Sequence, residues 1–174
     1  MILEGKVWKF GDEIDTDIIV PARYCELPLE EYKKHIMEPI RPDFYSLVRQ
    51  GDLIFAGKGF GMGSSRGQAV ASLLEVGIKA VVAQSFARIF YRSAINESLP
   101  LFECPKAYEN TDEGDVVQID IESGLVRNKT KASEYHFQPF SDLVLKIILA
   151  GGGINYFSKF FGKTERDISG RGGR

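Results

Sequence analysis

Short apolar blocks alternate with polar ones along the chain, and the period of the alternation changes at the glycines. "KVWKF" (6–10) and "DIIVP" (17–21) are rich in β-branched and aromatic residues and predict two short strands around the acidic turn "GDEIDTD". "LEEYKKHIM" (29–37) predicts a short helix, ended by Pro39 and Pro42. "DLIFAG" (52–57), bounded by Gly51 and Gly57, predicts a buried strand. Beyond it Ala69, Val70, Leu73 and Leu74 recur at helical spacing. Ser65 and Gln68 make an S-x-x-Q capping box that starts this helix at the second serine, and Gly77 closes it. "KAVVAQS" (79–85) predicts a strand, "FARIFYRSAINES" (86–98) a helix with Phe86, Ile89, Phe90 and Ala94 on one side, and "LPLFEC" (99–104) another strand.

Strand, loop, helix, strand, helix, strand is a βαβαβ pattern, which demands a parallel sheet with right-handed crossovers. The remainder changes period. "DVVQIDIESGLVRN" (115–128) alternates apolar and polar residues around a Ser-Gly turn and predicts an antiparallel hairpin. "SDLVLKIILAGGG" (141–153) predicts a final helix with Ser141 as its N-cap. The glycine-rich, basic tail "GKTERDISGRGGR" is expected to be disordered. The expected class is therefore α/β: a mainly parallel central sheet flanked by helices, with added antiparallel strands, in one domain over residues 1–160.

Composition narrows the function. With 174 residues, 44% hydrophobic, the chain can bury one proper core. A formal net charge of -2, with basic residues spread along the chain, gives no footprint for nucleic acid before the last dozen residues, the basic tail being the one place where an RNA or acidic partner could bind. No apolar stretch approaches the roughly 20 residues that span a bilayer, and the N-terminus has no leader pattern, so a soluble cytoplasmic protein is expected. Cys25 and Cys104 lie far apart without metal-ligand spacing, and His35 and His136 are isolated; none of them predicts a metal site in this chain.

The chemistry concentrates in "GKGFGMGSSRGQA" (57–69). A helix N-terminus offers unpaired N–H groups and the positive end of the dipole, and glycines at 57, 59, 61 and 63 let the backbone approach a ligand closely; together they predict an anion site. No lysine follows the last glycine, which disfavours a nucleoside triphosphate, and no acidic residue sits where a dinucleotide ribose needs one. A hydrolase elbow with Ser65 as nucleophile remains open, as does a plain well-capped helix.

Three segments in this order and spacing, "GDEIDTDIIVPARY" (11–24), "GKGFGMGSSRGQA" (57–69) and "SFARIFYRSAIN" (85–96), resemble the small subunit of 3-isopropylmalate dehydratase, the swivel domain of the aconitase superfamily. The resemblance covers residues 5–157. It implies a hydro-lyase that isomerises 2-isopropylmalate and 3-isopropylmalate in leucine biosynthesis, or runs the same chemistry on homoaconitate or dimethylmalate, or an anion-binding paralogue without activity. It also implies a [4Fe-4S] cluster carried by a separate large subunit, with none bound by this chain, and a possible homo-oligomer of the chain in isolation.

The resemblance makes Ser64 the base that takes a proton α to a carboxylate. Arg66 becomes a carboxylate clamp, and Ser65 a helix cap that also donates to the substrate. A serine serves as a base only when N–H groups, the helix dipole and a cation stabilise its alkoxide. Gly63, Arg23 and Tyr24 are the implied substrate contacts, and Asp17 and Thr16, beside Asp15, the implied supports. Arg88 and Arg92, at i and i+4, read as structural or interface arginines. Family members usually read G-S-S-R-E, and Gly67 stands here in place of the glutamate.

Overall fold

The computed structural model describes residues 1–63 and 67–159; Ser64, Ser65, Arg66 and the segment 160–174 lie outside the described residues. The capping box at Ser65 and the disorder expected of the tail fall in those segments.

The chain opens with β1 (Ile2–Lys9) and a one-turn helix α1 (Thr16–Ile19), followed by α2 (Leu29–Tyr32) and α3 (Phe44–Leu47). Then come β2 (Leu53–Ala56), α4 (Gly67–Glu75), β3 (Ala80–Ala83), α5 (Arg88–Asn96), β4 (Leu101–Glu103) and α6 (Pro105–Asn110). A meander of β5 (Val116–Asp120), β6 (Leu125–Asn128) and β7 (Ser133–His136) precedes α7 (Asp142–Leu149).

The strands form one seven-stranded sheet in the order β4-β3-β2-β1-β5-β6-β7. The ladders β1–β2, β2–β3 and β3–β4 are parallel, those from β1 through β7 antiparallel. The expected α/β class, a parallel sheet extended by antiparallel strands, is what forms. β1 belongs to both halves: Ile2–Lys6 pair with β5, and Val7–Lys9 with β2.

β2 and β3 are buried along their whole length, as strands covered on both faces must be. Ile54, Ala56, Val81 and Ala83 face one core with Val70 and Leu73 of α4 and Phe90 and Ala94 of α5. Leu53, Phe55 and Val82 face a second core with Ala107 of α6 and Val117, Ile119 and Val126 of the meander. Trp8 anchors the first core: its indole N–H donates to Asp52 Oδ2 at 2.8 Å, and its ring meets Phe44 edge-on at 4.9 Å. Among the described residues no helix is long and apolar enough to cross a membrane.

Three expectations are corrected. Residues 17–21 are not a strand: Asp15 caps a helical turn by accepting from Ile18 N–H at 2.8 Å, so Ile18 and Ile19 coil despite their β preference. The predicted helix at 29–37 is only α2 plus a 3-10 turn at Lys33–His35, and Ile36 resumes extended backbone. Ile89 does not join the buried face of α5 and is 57% exposed, because a helix that begins at Arg88 points it outward.

Candidate active site

The parallel strands β1, β2 and β3 deliver three segments to their shared carboxyl edge, the ordinary location of a ligand crevice in an open α/β sheet. The glycine-rich segment after β2 lies in the middle and is hydrogen-bonded to both neighbours. On the β1 side, Gly57 N–H donates to Gly11 O (2.9 Å), Glu13 N–H to Lys58 O (2.7 Å), Gly61 N–H to Ile14 O (2.7 Å) and Thr16 N–H to Met62 O (2.8 Å). On the β3 side, Phe60 N–H donates to Ser85 O (3.1 Å), Ala87 N–H to Phe60 O (3.0 Å) and Gly59 N–H to Ser85 Oγ (3.0 Å). Each of the three sequence motifs is thus fastened to the next by backbone bonds.

Two glycines make this packing possible. Gly61 sits at φ +81°, and a methyl there would run into the Phe90 ring. Gly63, one of the expected substrate contacts, sits at φ +93° with its open side toward Thr16: a Cβ would stand 3.2 Å from Thr16 Oγ1. Gly63 and the buried Thr16 are therefore brought together, with Asp15 next to them through the bridge to Met62. Asp17 is exposed, and its Oδ1 accepts from Ala22 N–H at 3.1 Å, fixing the turn that presents Arg23 and Tyr24.

Arg23 and Tyr24 belong to a clasp that sequence reading missed. The Arg23 guanidinium lies 4.5 Å over the Tyr24 ring and pairs with Glu38 at 3.2 Å. Tyr24 stacks on His35 with ring centroids 3.5 Å apart, and its hydroxyl donates to Glu38 at 3.4 Å. A short hydrogen bond joins His35 Nδ1 and Glu38 Oε2. Arg23 remains 63% exposed, so most of its donor fork faces solvent. No motif signals this cluster; its members are spread over sixteen residues and meet only because α2 is short.

The Glu38 carboxyl is held below its ordinary value, first by the hydrogen bond to His35, then by the charges of His35 and Arg23 against a desolvation penalty. A depressed carboxyl contributes stability that is present above its unfolded value and lost as pH falls through the folded one. The clasp is therefore expected to hold above pH 4.5, the ordinary value, and to open as pH falls below it. Amide exchange over residues 22–38 measures this, and Glu38→Gln should remove the acid-dependent loss of protection. An unchanged pH response in that variant would assign the opening to another group.

At the start of α4, a Cβ at Gly67 would meet, among the described residues, only Glu97 Oε1, at 3.7 Å. Space admits a side chain at position 67, but a glutamate there would set a second carboxylate beside that of Glu97. Burial pushes the Glu97 carboxyl up, with the Ser93 hydroxyl, 3.5 Å away, opposing. Burial likewise pushes up Tyr32, which faces Cys25, Glu97 and Glu75. The three residues expected to carry the chemistry, Ser64, Ser65 and Arg66, lie outside the described residues, between Gly63 and Gly67.

An iron–sulfur cluster does not fit what the described residues offer. Cys104 is buried with its thiol pushed up by desolvation, Cys25 is half-buried on another element, and no three His, Cys, Asp or Glu side chains converge among the described residues.

Comparisons with known proteins agree with the geometry. The Aconitase C-terminal domain family matches residues 30–107. The methanogen homoaconitase small subunit of Methanothermobacter thermautotrophicus is 50% identical over 159 residues, 91% of this chain and 92% of that protein. The 3-isopropylmalate dehydratase small subunit of Thermodesulfovibrio yellowstonii is 47% identical over 160 residues, 91% of this chain and 95% of that one. The crystal structure of 3-isopropylmalate dehydratase from Methanocaldococcus jannaschii superposes with a TM-score of 0.90 at 39% identity, covering 96% of this chain and 99% of the other.

Proposed function

Because the chain belongs to the aconitase-superfamily family of 3-isopropylmalate dehydratase small subunits, we propose that it completes a hydro-lyase that interconverts 2-isopropylmalate and 3-isopropylmalate in leucine biosynthesis. The observation that carries this reading is the glycine-rich segment, hydrogen-bonded on one side to 11–16 and on the other to 85–87, at the carboxyl edge of β1–β3.

The reaction removes a proton α to a carboxylate and hydroxide from the neighbouring carbon, then returns water with the two positions exchanged. We assign the proton transfer to Ser64 and the grip on a substrate carboxylate to Arg66, whose planar fork suits a carboxylate in two hydrogen bonds. To Ser65 and Gly63 we assign further contacts to the same carboxylate, since N–H groups and the dipole at a helix N-terminus lower the cost of a serine alkoxide. Asp17 and Thr16 hold the neighbouring turns, and Arg23 and Tyr24 meet the variable part of the substrate. The family implies an iron–sulfur cluster in the assembled enzyme, and we infer that a large subunit carries it, since the thiols of this chain do not suit one. The working unit is then a cytoplasmic heteromer in which residues 1–160 act as a single swivel domain.

A second reading keeps the chemistry and changes the acid: the homoaconitase small subunit at 50% identity favours a longer tricarboxylate. The two separate on the complex of this chain with its large subunit, assayed on 2-isopropylmalate, homocitrate and dimethylmalate. The expected result is the highest kcat/KM on 2-isopropylmalate. A tenfold preference for homocitrate would move the assignment to the second reading, and no turnover of any of the three would remove the enzymatic reading.

A further inference from the structure

The first turns of α5, the edge strand β4 and the segment leading into α7 enclose a cleft of about 460 Å³, the size of a small-molecule site. Its apolar wall is Phe86, Phe102, Phe140 and Val144, with Phe102 and Phe140 packed at 5.2 Å. Its polar wall holds Arg88 and Arg92, which share one face of α5 at i and i+4. Neither guanidinium has an ion pair or hydrogen bond among the described residues, whereas Arg23, Arg41 and Arg127 are each paired with a carboxylate. Ser141, the N-cap of α7, also lines the cleft, so the positive end of an eight-residue helix opens on it.

We propose that this cleft binds a monocarboxylate with an apolar body. Two guanidinium groups and a helix N-terminus recognise the carboxylate, and the aromatic wall takes the body. Glu103, the last residue of β4, lines the same cleft, so two positive side chains face one negative one, and the surplus suits a single anionic charge. Tyr91 adds a hydroxyl that stays neutral, since burial first and Glu103 second push its pKa up. Exposed Arg88 and Arg92 can close on a ligand at no cost in lost internal bonds.

The test is a titration of the isotope-labelled full chain with phenylacetate, followed by NMR amide shifts, with phenylacetamide as the neutral analogue. Saturable shifts at Tyr91, Ser141 and Val144 are expected. Binding should weaken at least tenfold for phenylacetamide and for the Arg88→Gln/Arg92→Gln variant, and should tighten severalfold for Glu103→Gln. Equal binding of acid and amide, no effect of the arginine substitutions, or shifts confined to the glycine-rich segment would overturn the proposal. The titration is repeated on the complex with the large subunit. Retained binding supports a ligand site, whereas binding lost on assembly makes the cleft part of the subunit contact and overturns it.

Discussion

Ser64→Ala in the assembled complex is expected to lower kcat by about a thousandfold, within the range a positioned acid–base group supplies, with less than a threefold change in KM. The change removes one oxygen from a segment whose anchors are elsewhere. Gly59, Phe60, Gly61 and Met62 hold the approach through backbone bonds to both neighbours, and α4 holds the exit with Val70 and Leu73 in the core. Assembly and melting temperature should therefore match the unaltered complex. A residual kcat within tenfold of the parent would remove Ser64 from its assigned role and return the base to the partner subunit.

Gly61→Ala tests the scaffold rather than the chemistry. The new methyl would collide with Phe90, a core residue 3% exposed, from a backbone at φ +81° that L-residues avoid. Overpacking and the left-handed backbone each cost on the order of 1–3 kcal/mol, about 3 kcal/mol together after partial relaxation. For a chain of this size that lowers Tm by about 6–12 °C. Activity should fall as well, since relaxation has to move Phe90 or the segment that precedes Ser64. Gly11→Ala is the control: among the described residues nothing lies within 4 Å of its Cβ position, and a change below about 0.5 kcal/mol is expected. Equal melting of the two variants would show that the glycine-rich segment is free to shift.

The sheet was readable where one signal dominated. Val81, Val82, Ile54 and Phe55 form apolar runs too short for helices, and the Ser123-Gly124 turn, with Gly124 at φ +69°, sets the hairpin as the alternation implied. Reading failed where side chains competed with pattern. Ile18 and Ile19 favour a strand, but the Asp15 cap and the bond from Thr16 N–H to Met62 O, made by a segment more than forty residues away, coil them. β7, "SEYH", carries no apolar alternation and is a strand because β6 offers it an edge. α6 begins with Pro105 at its first turn, a start signal easily taken for a stop. Of the site, the motifs named the three segments; most of the bonds that join them are backbone to backbone and leave no mark on residue identity, the side chains of Asp12 and Ser85 being the exceptions. The clasp of Arg23, Tyr24, His35 and Glu38 depends on where a four-residue helix stops, which propensity does not resolve.

The double membership of β1 sets an order of events during synthesis. Its parallel partner β2 emerges early, whereas the partner of its first half, with Ile2 opposite Asp120, is among the later segments to be made. At roughly 5–20 residues per second, one side of the first strand stays unpaired on the ribosome for several seconds. Glu4 and Lys6 alternate along that stretch, and charges there discourage a neighbouring nascent chain from adding to the open edge. The parallel half with its glycine-rich segment can consolidate meanwhile, so the meander docks onto a surface that is already built.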